Sequence, residues 1–161
     1  MNSTDPFMDY FWLISIVLLA VNYVVMTRFS SVSDDAGVNQ AMLRRYAAWM
    51  CGLLAVPWIV LGCGQVLGKV HGVLELFRLQ DGNPFVWGFY AAALLVQSIA
   101  VYWVFFRDGA RIASELRLVT FHTPVSRGAV SPFWIKIMAI ASLVFLAIFV
   151  WVASHVDLPM H

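Results

Sequence analysis

His71 and Glu75 stand four residues apart, and Asp81 follows them in an Asp-Gly pair suited to a turn. An imidazole and a carboxylate at this spacing project from one face of a helix, so they can share a metal ion or pair with each other. The C-terminal tail adds His155, Asp157 and His161, and the N-terminal segment adds Asp5 and Asp9. In a chain that crosses a bilayer four times, all of these residues fall at one end. His71, Glu75, His155 and His161 are therefore the candidate metal ligands. His71 and His155 also lie just past the ends of two apolar runs, at similar depth. That placement makes them a candidate axial pair for haem b, since bundles hold haem between facing helices. A plain helix ion pair among interfacial polar residues accounts for the same pattern, so the cofactor stays open between haem, a metal ion and none. His122, between Thr120 and Thr123, stands apart from this group.

No enzyme signature accompanies these residues. The sequence has no HExxH, no G-x-S-x-G and no glycine loop followed by lysine to cradle phosphate. Glu75 and Asp81 are the nearest thing to a carboxylate pair. The formal net charge is +1 and the cations never gather into a basic stripe, which argues against nucleic acid as a partner. Cys51 and Cys63 share one apolar run; twelve helical residues separate them by about 18 Å, too far for a disulfide.

The elements that position these groups follow from composition. Of 161 residues, 61% are hydrophobic and only 12% charged, with a mean hydropathy of +0.81. Soluble domains carry about 25% charged residues, so the bilayer is the solvent that fits. Four charge-free runs lie between Asp9 and Arg28, Arg45 and Lys69, Asp81 and Arg107, and Lys136 and Asp157. Each is near the roughly 20 residues a span needs, and unsatisfied backbone in hydrocarbon is costly enough to require a helix. The predicted spans cover about 6–27, 41–68, 84–106 and 132–155 of a single transmembrane domain. Asp5-Pro6, Asn83-Pro84 and Ser131-Pro132 each pair a capping residue with a proline suited to the first helical position. Pro57 predicts a kink in the second span. No lysine or arginine precedes the first run, which reads as a retained span rather than a signal peptide.

Between spans two and three, about 66–79 reads as an amphipathic helix in the membrane interface. Val66, Leu67, Val70, Val73, Leu74 and Phe77 form its apolar face, with His71, Glu75 and Arg78 opposite. Gly64, Gly68 and Gly72, four apart, suggest a close-packing ladder within the bundle or between copies. Asn22 and Gln97 are the polar residues placed to hydrogen-bond between spans, or to line a pore. Past span three, residues 106–122 predict a helical extension with Asp108, Arg111 and Glu115 spaced for ion pairs and Ile112, Leu116 and Val119 facing the membrane or the bundle.

Arg28, Arg44, Arg45, Arg107, Arg111, Arg117, Arg127 and Lys136 flank loops one and three, whereas Lys69 and Arg78 alone lie at the other end. The excess predicts loops one and three in the cytoplasm, with both termini outside, in a bacterial cytoplasmic membrane. The fold expected is an all-α, integral membrane four-helix bundle with an interfacial amphipathic helix between helices 2 and 3. The function expected is non-enzymatic: an accessory, assembly or oligomer-forming component of a membrane complex, in contact with the lipid bilayer and forming a homo-oligomer or a larger membrane-protein complex. A haem- or metal-binding redox subunit and a small oligomeric channel or transporter are the alternatives.

Overall fold

The structure, a computed structural model, describes residues 9–29, 40–116 and 130–155. These residues are helical with no strand among them. Four long helices, α1 (Phe11–Phe29), α2 (Gln40–Val66), α3 (Pro84–Phe106) and α5 (Pro132–His155), are each long and apolar enough to cross a membrane. A short α4 (Gly109–Glu115) follows α3. Two 3-10 helices, η1 (Val73–Phe77) and η2 (Leu79–Asp81), form a strap between α2 and α3.

Prolines start two of the spans, as the sequence predicts. Pro84 and Pro132 are the first residues of α3 and α5, where a missing N–H costs nothing. Asn83 caps α3 by accepting the Phe85 N–H at 3.0 Å, and the Ser131 carbonyl accepts from Ile135 N–H at 3.2 Å. The expected start at Asp5-Pro6 lies outside the described residues. α2 carries the buried Pro57 inside a helix that runs unbroken from Gln40 to Val66.

Each span packs on its neighbours in sequence: α1 on α2, α2 on α3, and α3 on α5. Among the described residues no comparable packing joins α1 to α5, so the bundle is open on that side. Two cores hold the row together, one at each end. The first gathers Leu43 and Ala47 of α2, Val104 of α3, Ala110 and Ala113 of α4, and Ile135 of α5. The second gathers Leu61, the strap residues Val70, Leu76 and Leu79, Val86 and Tyr90 of α3, and Ala153 of α5. Within hydrocarbon these contacts stabilise by close packing rather than by escape from water. At the second core, aromatic edges link the row from flank to flank. Phe11 meets Trp58 at 5.5 Å between centroids, Trp58 meets Phe89 at 5.1 Å, and Tyr90 and Phe77 both meet Phe149.

The strap departs from the single helix expected over 66–79. α2 ends after Val66 because Gly68 adopts φ +64, and the last turn closes with Lys69 N–H to Gly64 C=O (2.9 Å) and Gly68 N–H to Gln65 C=O (2.9 Å). That pair of bonds is a Schellman motif with glycine at its left-handed position, which stops a helix. Gly72, at φ 139, adds a second break just before η1. The inward side chains are accordingly Val70, Val73, Leu76 and Leu79, at a period of three, and Leu67 and Leu74 point outward. Three residues per turn is the 3-10 repeat.

The expected extension of span three is also interrupted. α3 stops at Phe106, Asp108 takes a left-handed conformation (φ 53), and Gly109 packs so tightly on the Trp103 ring that a Cβ has no room. α4 therefore turns back to bury Ala110, Ala113 and Leu116 against α5, with Ile112 half-buried. Its exposed Arg111–Glu115 pair, at 3.5 Å, realises the predicted spacing. Val119, His122, Arg117 and Arg127 lie outside the described residues.

Candidate functional site

The strap end collects most of the residues singled out by their chemistry. Glu75 is its hub. Its Oε1 accepts from the His71 backbone N–H at 2.7 Å and lies 3.0 Å from His71 Nδ1, while its Oε2 accepts from Asn83 Nδ2 at 3.1 Å. The same Asn83 Nδ2 donates to the Lys69 carbonyl at 2.6 Å. One side chain thus fastens the exit of α2, the strap and the entry of α3. Tyr90, 2% exposed, donates from its hydroxyl to the Leu76 carbonyl at 2.7 Å and pins η1 from below.

This network pairs two of the residues that sequence spacing offers as ligands, His71 and Glu75, with each other. Both carboxylate oxygens of Glu75 are engaged, and the His71 side chain is 79% exposed above them. Beside the network lies an open cleft of about 580 Å³ lined by Lys69, Glu75, Arg78, Asp81, Asn83 and Phe85. Its lining carries two cations, Lys69 and Arg78, and two carboxylates, Glu75 and Asp81, so its formal charge sums to zero. A second groove, about 430 Å³, runs between the start of α1 and the α2 exit and is lined by Asp9, Tyr10, Trp12, Gln65, Gly68 and His71.

His155 closes α5 at the same end. Its ring stacks on Trp151 (5.0 Å, 26°), and its Nδ1 lies 2.9 Å from both the Trp151 carbonyl and Ser154 Oγ. Among the described residues, no three His, Cys, Asp or Glu side chains converge as a metal-binding group. His161, Asp157 and Asp5 lie outside the described residues.

The three glycines of the predicted ladder occupy three different backbone states. Gly64 is helical and buried, and a Cβ there would come within 2.7 Å of Phe85 Cβ and Cγ. Gly68 is the left-handed helix stop, with open space beside it, and Gly72 is the non-helical residue before η1. They do not form one continuous helical face. On α2 the close-packing pair is Gly62 and Gly64, with the Trp12 ring of α1 over Gly62 and Phe85 of α3 over Gly64.

Gln97 and Asn22 part company. Gln97 Nε2 donates across to α5, to the Ala139 carbonyl at 3.2 Å and to Ser142 Oγ, while Ser142 Oγ itself lies 3.0 Å from the Ala139 carbonyl. Asn22 is exposed on α1 and makes no hydrogen bond to a described residue.

Tyr90, the anchor of the strap, is absent from a reading by spacing alone. Ser142, the partner of Gln97, is one of the few polar residues the sequence places within the spans, with Asn22, Gln97, Ser15 and Ser98, and its register supplies the pairing signal. Gln97 lies 13 residues from the start of α3 at Pro84, and Ser142 lies 13 from the end of α5 at His155, so antiparallel spans put them at one depth. Comparison with known proteins finds no match among family models, curated proteins or solved structures.

Proposed function

We propose that this chain is a non-enzymatic component of a membrane assembly, acting by lateral packing against another polypeptide in the bilayer. The observation that carries the reading is Asn22. It lies about 16 Å along α1 from Phe11 and about 10 Å short of Phe29, inside the apolar stretch, on a flank that α2 does not cover. A side-chain amide left bare in hydrocarbon is costly, and polar groups within spans usually find a partner on a neighbouring helix. This chain supplies one for Gln97 and none for Asn22 among the described residues.

The open row favours the same conclusion. Among the spans α1 packs chiefly on α2, and none of its described residues falls in the buried class, so much of its surface is open to another helix. On this reading the arginine-rich end, with Arg28, Arg44, Arg45, Arg107 and Arg111, faces the cytoplasm and the strap faces outward. A photo-crosslinking amino acid at position 22, activated in the native membrane, tests it. Crosslinks to polypeptide are expected; crosslinks to lipid alone would remove the basis of the proposal.

A further inference from the structure

We infer that the polypeptide covering Asn22 is a second copy of this chain, docked α1 to α1 with the two Asn22 amides bonded reciprocally. This deepens the assembly reading above and rests on it. The inference starts from what Asn22 lacks. A primary amide carries an acceptor oxygen and a two-proton donor, and a second primary amide in the opposite sense satisfies both at once. Rotation by two-fold symmetry supplies that arrangement, because an isologous interface brings each residue against its own copy near the axis.

Depth selects the copy over an unrelated helix. The Lys/Arg excess at the α4 end gives every copy the same orientation, so the two-fold axis runs along the membrane normal and the α1 helices lie parallel. Asn22 then stands at the same depth in both copies without further adjustment. A foreign helix must carry a polar group at just that level to serve as well. The remainder of the face suits the contact: Leu18 is 61% exposed and Val25 43%, one turn to either side of Asn22 on the same stripe. The neighbouring hydroxyls do not compete for the amide. Ser15 Oγ donates to Phe11 C=O at 2.9 Å and Thr27 Oγ1 to Tyr23 C=O at 2.9 Å, each within α1 itself.

The experiment compares the full-length chain with Asn22→Leu and Asn22→Gln, extracted in mild detergent from the membrane in which each was made. Analytical ultracentrifugation reads the mass, and electrophoresis identifies every polypeptide present. Asn22→Leu replaces a bare amide by an apolar side chain on a lipid-facing flank, so the monomer fold is not at risk. The wild type is expected as a homodimer, with dissociation about tenfold easier in Asn22→Leu and restored in Asn22→Gln. A disulfide-linked dimer from Asn22→Cys, in a chain with Cys51 and Cys63 replaced by alanine, places the contact at this residue. A wild type bound to a foreign subunit that Asn22→Leu releases overturns the second-copy inference and leaves the assembly reading standing. A homodimer indifferent to Asn22→Leu overturns the α1 interface. A wild-type monomer free of other polypeptides overturns both.

Discussion

Asn83 does three things with one amide, and each is a consequence of where the chain turns. Its oxygen caps α3 through Phe85 N–H, and its nitrogen holds the Lys69 carbonyl and Glu75 together. Asn83→Ala removes the cap and both strap bonds, so a loss of about 2 kcal/mol is expected from unfolding in mixed micelles, the upper end for a cap alone. Asn83→Asp keeps the cap and places a second carboxylate against Glu75; it should open the strap while sparing α3. The glycines make a second contrast at this scale. Gly64→Ala puts a methyl 2.7 Å from Phe85 and 2.8 Å from Val70 Cγ2, an overpacking that costs about 1–3 kcal/mol. Gly68→Ala meets no atom within 4 Å and costs about 1–2 kcal/mol through its left-handed backbone alone. Gly68→Leu should therefore cost about as much as Gly68→Ala, whereas Gly64→Leu should be far worse than Gly64→Ala. Equal leucine penalties at the two positions would contradict the distinction between a packing glycine and a turn glycine.

At the scale of elements, spans and proline-marked starts were legible because length, apolarity and capping are local properties. Asn83-Pro84 and Ser131-Pro132 begin α3 and α5 as their chemistry dictates. The strap was harder to read because two descriptions competed for the same residues. Val70, Val73 and Phe77 satisfy a 3.6-residue period, while Val70, Val73, Leu76 and Leu79 satisfy a period of three. Gly68 and Gly72 decide between them by breaking the α-helix before the longer period can establish itself. The break at Asp108 carries a local signal, since Asp108-Gly109 is a pair suited to a turn, while the tight seat of Gly109 on the Trp103 ring follows from the fold. Between elements, the Gln97–Ser142 contact fastens α3 to α5 at mid-span. Gln97→Leu should weaken that pairing by about 0.6 kcal/mol and by no more than about 1.7, the range for hydrogen bonds between membrane helices. A loss of several kcal/mol would mean that Gln97 also serves a site beyond α5.

At the scale of the molecule, two cores at opposite ends join four consecutive spans, and among the described residues no comparable packing closes the row between α1 and α5. Charge-free runs and their polarity implied four crossings, but which helix lies beside which is a matter of tertiary packing that periodicity cannot convey. The Lys/Arg excess at the α4 end predicts an orientation that labelling can check. A cysteine at Gln80, exposed on the strap, should react with a membrane-impermeant thiol reagent in intact cells, and one at Arg111, exposed on α4, should react only after lysis. The reverse pattern would turn the molecule over. Native mass spectrometry of the chain, gently extracted from its own membrane, tests the assembly reading most directly. The expected particle contains more than one polypeptide and dissociates more readily when Asn22 is leucine. A single chain carrying lipid alone would contradict it.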